Sequence, residues 1–312
     1  TSFMKRMLCI LLALVLALAA VPALADMPKD IETIPFDELP EPLDGQHHYL
    51  LLCVDQWTGK PHNLGNTDGI VLATLDTRAH RVMLTSFIRD ALVKRPDGKI
   101  GRINYIAKNY GPEALCKVIS EHIGVKIEKY ILFDFSQISN IVDFLGGVDI
   151  EITASESSYL QRYAIPKDST APRLKGAGTY HFNGHSAVIY MRIRKVGGGG
   201  DFMRTQRVRT VLSTLADQCR EITLEDARRL VDTVLDNATM TNVSTDEMVE
   251  AMNYAMSLRG CTIEELRLPP DGAATPITYA SMSVQEIDWD ACRAAMEDYL
   301  QNSFLIMDED NE

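Results

Sequence analysis

Apolar residues recur along this chain with two periods. Short runs at 50–54, 70–75 and 82–87, rich in Leu, Val and Ile and bounded by Gly, Asn and Asp, predict β-strands. The last two flank a turn at 76–80. Residues 113–123 carry apolar side chains at 115, 118, 119 and 123, one helical face beginning just after Pro112. A strand at 130–133, a helix at 136–145 closed by Gly146 and Gly147, and a strand at 148–152 continue the alternation. Between 155 and 179 the pattern lapses into polar residues, Pro166, Pro172 and glycines, which predicts a surface excursion. Asn183 is then expected to cap a helix to 191, glycines 197–200 to form a loop, and 202–220 to form a long helix. Helices at 224–235 and 245–258, a strand at 262–268, a Pro/Gly loop and a helix at 289–300 complete the pattern. Such alternation predicts an α/β protein with a largely buried mixed sheet.

The two ends depart from it. Lys5 and Arg6, an apolar run at 7–20, Pro22 and the triplet Ala23-Leu24-Ala25 read as an export signal over 1–25. The competing reading is an uncleaved membrane anchor, since the run approaches the roughly 20 apolar residues that span a bilayer. Either way the expected location is extracytoplasmic, secreted or anchored at the outer face of the cytoplasmic membrane. Residues 26–47, with four prolines among acidic residues, predict an extended linker, and 306–312 an acidic tail. The remainder is expected to form one body, with a main domain at 48–220 and a helical extension at 221–305.

Charge sharpens this reading. The net charge is −12, yet residues 221–312 hold 20 Asp and Glu against 5 Lys and Arg, which leaves the first 220 residues slightly basic. That distribution argues against a nucleic-acid binder and for a local basic site that takes a small polyanion, phosphate above all. The five cysteines beyond residue 25 show no C-x-x-C spacing, so a thiolate metal site is not expected, and free thiols are favoured.

Candidate chemistry lies at the strand ends. Asp68 precedes one strand and Arg89-Asp90 follows the next, so an antiparallel pairing would bring both carboxylates to one sheet end. Two carboxylates and a phosphate suit magnesium, whereas the plainer alternative makes each aspartate a turn residue bonding local amides. Arg102, Arg192, Arg194, Arg204, Arg207 and Arg209 join Arg89, several beside the glycine-rich loop, and guanidinium forks match phosphate oxygens. Asp201 could orient Arg204, while a solvated helical face would give the same arginine spacing. The stretch from Leu132 to Leu145 is most simply core; a groove for a lipid tail is the sharper alternative. The histidines His47, His48, His181 and His185 carry no partner pattern and receive no role.

In this order, Asn66-Thr67-Asp68, Ser86-Phe87-Ile88-Arg89-Asp90, Arg102-Ile103-Asn104, Asp143-Phe144-Leu145-Gly146-Gly147-Val148-Asp149, Asn183-Gly184, Tyr190-Met191-Arg192-Ile193-Arg194 and Asp201-Phe202-Met203-Arg204-Thr205-Gln206-Arg207 resemble the LytR-CpsA-Psr family over about residues 48–220. The resemblance implies a three-layer α-β-α sandwich with a central mixed sheet. It implies a phosphotransferase that attaches an anionic or capsular glycopolymer to peptidoglycan from a polyprenyl-pyrophosphate carrier at the membrane surface, with Mg2+ as cofactor. Asp68 and Asp90 would hold the metal and, with Arg89, form the catalytic set; Arg89, Arg102, Arg192, Arg194, Arg204, Arg207 and Asn66 would bind the pyrophosphate. The family commonly has Arg where Asn66 stands and Gln where Val208 stands, and each change removes a polar contact near the phosphates. A polyprenyl-pyrophosphate pyrophosphatase and a non-catalytic binder of polyprenyl lipid or wall polymer are the alternatives.

Overall fold

The structure, a computed structural model, describes residues 27–56, 64–163, 171–196, 200–219, 222–238 and 240–309. The expected export signal and glycines 197–199 lie outside the described residues. Strands β1 (Gln46–Val54), β2 (Thr67–Asp76) and β3 (Arg81–Phe87) form an antiparallel meander at the middle of a six-stranded sheet. Next to it, β4 (Leu92–Lys94) and β5 (Ile100–Arg102) make a small hairpin followed by helices α1 (Ile106–Tyr110) and α2 (Pro112–Ile123). Strand β6 (Lys129–Phe133) returns parallel to β1, and α3 (Phe135–Phe144) leaves its carboxyl end. Strands β7 (Val148–Ile152) and β8 (Gly178–Phe182) pair around helix α4 (Ala154–Tyr163), and α5 (Gly184–Met191) and α6 (Asp201–Gln218) follow.

Beyond residue 220 come α7 (Leu224–Asn237), β9 (Met240–Thr241), α8 (Thr245–Ser257), β10 (Thr262–Leu268), the hairpin β11 (Ala274–Tyr279)–β12 (Met282–Ile287), and α9 (Trp289–Glu309). The sheet order is β10-β3-β2-β1-β6-β9, with β10 parallel to β3 and β9 antiparallel to β6. The sheet is mixed and helices flank both faces, as the motifs implied.

Strand alternation decides what each face meets. Leu50, Leu52 and Val54 of β1, Ile70 and Leu72 of β2 and Tyr130 and Leu132 of β6 point to one face. There they pack against Leu115, Val118 and Ile119 of α2 and Trp289, Cys292 and Met296 of α9. The intervening residues Leu51, Cys53, Gly69, Val71, Ile131 and Phe133 point to the other face, under α3 and α6 to α8.

Several predicted features change form. The expected surface excursion holds α4 and the start of β8; α4 was overlooked because it is polar on average. The expected Pro/Gly loop holds β11 and β12. The segment expected as a free linker lies along the body: Ile34 N–H donates to the Glu121 carbonyl at 3.0 Å and Leu39 is buried. Cysteines 53, 116, 219, 261 and 292 are free thiols.

Two motifs that carried the family resemblance prove architectural. Asp143 accepts the Gly184 N–H at 2.7 Å, and Asn183 caps α5 by accepting from Ser186 N–H at 2.8 Å. A Cβ on Gly184 would lie 2.0 Å from the Ser139 carbonyl oxygen, so only glycine lets α5 approach α3 this closely. Gly147 turns into β7 at φ +90° against His181 and the Phe182 carbonyl, and His181 in turn pairs with Asp149 at 2.7 Å. Together these contacts fix the helix that delivers Arg192.

Candidate active site

The site grows from the end of the sheet where β1 and β6 finish side by side, the place where parallel strands leave a crevice. Asp55 follows β1 there. Cys53 pairs with Gly69 and Val54 with Thr67, so Asp68 is the extra residue of a β-bulge. Bulges re-aim a side chain, and this one turns the Asp68 carboxylate into the crevice. Because β2 and β3 are antiparallel, Arg89 and Asp90 just beyond β3 arrive at the same end.

Three guanidinium groups converge on Asp68, which is 7% exposed: Arg89 Nη1 at 2.8 Å, Arg194 Nη2 at 3.0 Å and Arg204 Nη1 at 3.2 Å. Arg194 Nη2 also lies 3.6 Å from Asp55, and Arg192 Nη2 lies 3.3 Å from Asp55 while its guanidinium rests over the Phe135 ring at 4.6 Å. Arg89 bridges onward to Asp90 through Nε at 3.6 Å, and Asp90 is ion-paired with Arg102. Of the sequence candidates, Asp68, Asp90, Arg89, Arg102, Arg192, Arg194 and Arg204 thus form one connected cluster. Among the described residues five guanidinium groups face three carboxylates, an arrangement that favours an anion.

Three placements differ from the simplest expectation. Asp68 and Asp90 do not face each other directly, since the Arg89 guanidinium stands between them. The carboxylate that converges with Asp68 is Asp55, a residue the sequence reading passed over although it directly follows a predicted strand. Arg207, expected at the phosphate, is 2% exposed and turned away. Its Nε donates to Glu156 at 2.7 Å, and its Nη1 and Nη2 each donate at 2.9 Å, to the carbonyls of Ile193 and Val196. It therefore clamps the segment that carries Arg192 and Arg194. Asn66 accepts the Asp55 N–H on its backbone carbonyl at 2.9 Å, while its buried side-chain oxygen has no hydrogen-bond partner. Asp201 opens α6, and its side chain lies outside the described set.

Behind the cluster opens a cavity of about 370 Å³. Asp68, Arg192, Arg194 and Arg204 share its wall with Leu51, Cys53, Val71, Ile131, Phe133 and Phe135, with Ile138 and Ile141 of α3 and Leu145 just after it, and with Val208, Val211, Leu212 and Leu215 on α6. The stretch taken most simply as core thus lines a cavity. Leu230, Val231 and Val234 of α7 and Met248, Ala251, Met252 and Ala255 of α8 close it. The acidic C-terminal region thus supplies one apolar wall. Burial, with the charges of Asp68, Asp134 and Asp55, pushes the Cys53 thiol well above its usual range, so it stays a neutral apolar surface. Val208 belongs to this wall, with its Cγ1 3.9 Å from where a Gly69 Cβ would stand. Among the described residues no group of three or more His, Cys, Asp or Glu side chains is placed to hold a metal ion by itself.

An α/β sandwich with an arginine–carboxylate cluster at the mouth of an apolar cavity defines a protein suited to an amphiphile with an anionic head. The chain belongs to the LytR_cpsA_psr family, whose model matches residues 28–296. It is 25% identical over 162 residues to the polyisoprenyl-teichoic acid–peptidoglycan teichoic acid transferase TagV of Bacillus subtilis, a match spanning 49% of this chain and 39% of that relative. The match therefore covers less than half the length of TagV. The solved structure of B. subtilis TagV superposes with a TM-score of 0.66 at 20% identity, over 84% of this chain and 98% of that one. The transferase TagU of Bacillus mycoides is 26% identical over 74% of this chain and 71% of its own length. A TagT structure bound to LI-WTA gives a TM-score of 0.66 at 20% identity, over 87% and 96% of the two chains. These structural likenesses establish the shared fold.

Proposed function

We propose that this protein is an extracytoplasmic phosphotransferase that moves an anionic or capsular glycopolymer from a polyprenyl-pyrophosphate carrier onto peptidoglycan, assisted by magnesium and working at the outer face of the cytoplasmic membrane. One observation carries this reading: Asp68, Arg192, Arg194 and Arg204 belong at once to the ionic cluster and to the wall of the apolar cavity. A ligand that joins a pyrophosphate to a hydrocarbon chain uses both. The transferase names of the relatives TagV and TagU point the same way.

In this reading the polyprenyl chain enters the cavity, and Arg89, Arg192, Arg194 and Arg204 exchange their aspartate partners for pyrophosphate oxygens. Pairing with the aspartates before substrate arrives keeps the guanidinium groups oriented, so little reorganisation is needed on binding. A sugar hydroxyl of peptidoglycan attacks the sugar-proximal phosphorus; its O–P bond forms as the bond to polyprenyl phosphate breaks, and Asp90 takes the hydroxyl proton. Two carboxylates reached by one Arg194 nitrogen are oxygen donors of the kind magnesium takes with phosphate and water. Asp55 and Asp68 would hold the ion. Bound magnesium supplies neutralisation of charge on the pyrophosphate oxygens.

The test is release of polyprenyl phosphate from a synthetic polyprenyl-pyrophosphate-linked sugar, with and without peptidoglycan oligomers and magnesium. Acceptor- and magnesium-dependent release that is lost in Asp90→Ala and Arg192→Ala is expected. Release without acceptor would identify a pyrophosphatase, and tight binding with no release a binding protein.

A further inference from the structure

A second cleft, of about 520 Å³, opens on the far side of the ionic cluster. Arg102 is common to both: its guanidinium pairs with Asp90, and its side chain helps to line the cleft. The walls are the β4–β5 hairpin with its turn, α1, and the tip of β11–β12. They present Arg95, Lys99, Tyr105, Asn109 and Tyr279. The hairpin is anchored to the cluster itself, because Gln285 N–H donates to the Asp90 carbonyl at 2.9 Å, and the Tyr105 hydroxyl reaches Met282 Sδ at 3.9 Å.

We infer that this cleft receives the acceptor, an amino-sugar glycan strand bearing carboxylates; the inference rests on the transfer reading and deepens it. Three lines of chemistry support it. Displacement at phosphorus places the entering and leaving oxygens roughly in line. The leaving polyprenyl phosphate stays at the cavity mouth, so the entering hydroxyl arrives from the other end of the ion-pair chain, where Arg102, the partner of Asp90, lines the second cleft. Tyr279 offers an aromatic face to a pyranose ring, Tyr105 extends that wall with the Arg102 guanidinium stacked 5.2 Å from its ring centroid, and Asn109 offers an amide to hydroxyl or acetamido groups. Arg95 (paired with Asp97), Lys99 and Arg102 (paired with Asp90) bring cationic groups to the lining, and among the described residues it holds no carboxylate, which complements the carboxylates of a muramyl-type strand. The chain of contacts from the apolar cavity through Asp68, Arg89, Asp90 and Arg102 then joins donor and acceptor across one reaction centre.

The experiment uses soluble peptidoglycan oligomers as probe and compares wild type with Lys99→Glu and Tyr279→Ala. Lys99 is exposed and Tyr279 closes a β-hairpin, so neither change opens the core, and equal melting temperatures check this. Fluorescence anisotropy with a labelled oligomer is expected to show binding weakened about tenfold in each variant. In the transfer assay the acceptor KM is expected to rise by a similar factor while the donor KM stays at the wild-type value. Unchanged oligomer affinity, or a rise confined to the donor KM, would overturn the assignment and place the donor's polymer there instead. Wild-type protein that binds oligomers through these residues but transfers nothing would overturn the transferase reading and leave the cleft standing.

Discussion

The two faces of the central sheet share their strands yet differ in what they enclose. On one face Leu50, Leu52, Leu72 and Leu132 meet α2 and α9 in close packing, with buried His48 and His122 satisfied by Thr74 and by Val118 and Lys94. On the other, the neighbouring residues of the same strands border a cavity whose mouth is held by Asp55 and Asp68 against arginines, with the buried Arg207–Glu156 pair behind it. The first face is closed by apolar contact throughout; the second carries apolar clusters too, around Val142, Val188 and Val211 and around Ile131, Phe133 and Met248, but leaves apolar surface uncovered at the cavity and adds polar clamps. A protein that admits a hydrocarbon chain in the proposed way gains by keeping that space on one face only.

The contrast can be broken in graded steps. Arg207→Ala strands the Glu156 carboxylate in the interior and is expected to cost about 3–5 kcal/mol, read by urea unfolding. Leu50→Ala on the packed face is expected to cost about 2–5 kcal/mol, whereas Leu212→Ala, which lines the cavity, is expected to cost about 1 kcal/mol. Equal losses at the two positions would mean that the cavity is filled in solution. Tryptophan gives the converse: Leu72→Trp overpacks and should destabilise by about 1–3 kcal/mol or more, while Val208→Trp should stay within about 1 kcal/mol of wild type.

The packed face also carries the pH response. Burial lowers His48 and His122 to about 4 from the ordinary value of 6.5. Both imidazoles are then neutral in the folded protein, while the unfolded chain protonates them below about pH 6.5. Stability is therefore expected to fall as pH drops from 6.5 toward 4, by a few kcal/mol for each histidine, and to level off for these groups below 4. Unfolding free energies that are flat across this window would show that one or both rings gain solvent.

Much of the sheet was legible because its runs are apolar on both faces, and a strand covered on both sides is as apolar as any sequence signal becomes. Hairpins β4–β5 and β11–β12 were not, since short half-exposed strands interrupted by Pro and Gly lack that signal. The connected arginines and aspartates were legible as residue types at strand ends. Which way each guanidinium turns was not: Arg204 and Arg207 lie three residues apart on one helix, yet one reaches Asp68 and the other reaches Glu156 behind it. Glu156 lay in a stretch read as irregular, so the partner that redirects Arg207 could not be seen. The apolar residues of α3 likewise read as core because a cavity lining and a core have the same composition; only the arrangement of α6 to α8 leaves the space between them.

The most direct measurement compares the affinity of geranylgeranyl pyrophosphate with that of inorganic pyrophosphate by calorimetry, in wild type and in Val208→Trp. If the cavity and its ionic mouth act as one site, the wild type should bind the prenyl compound at least about a hundredfold more tightly, and Val208→Trp should remove that advantage while leaving inorganic pyrophosphate unaffected. Equal affinity for the two ligands, or a prenyl preference that survives Val208→Trp, would contradict the joining of cavity and cluster in one site.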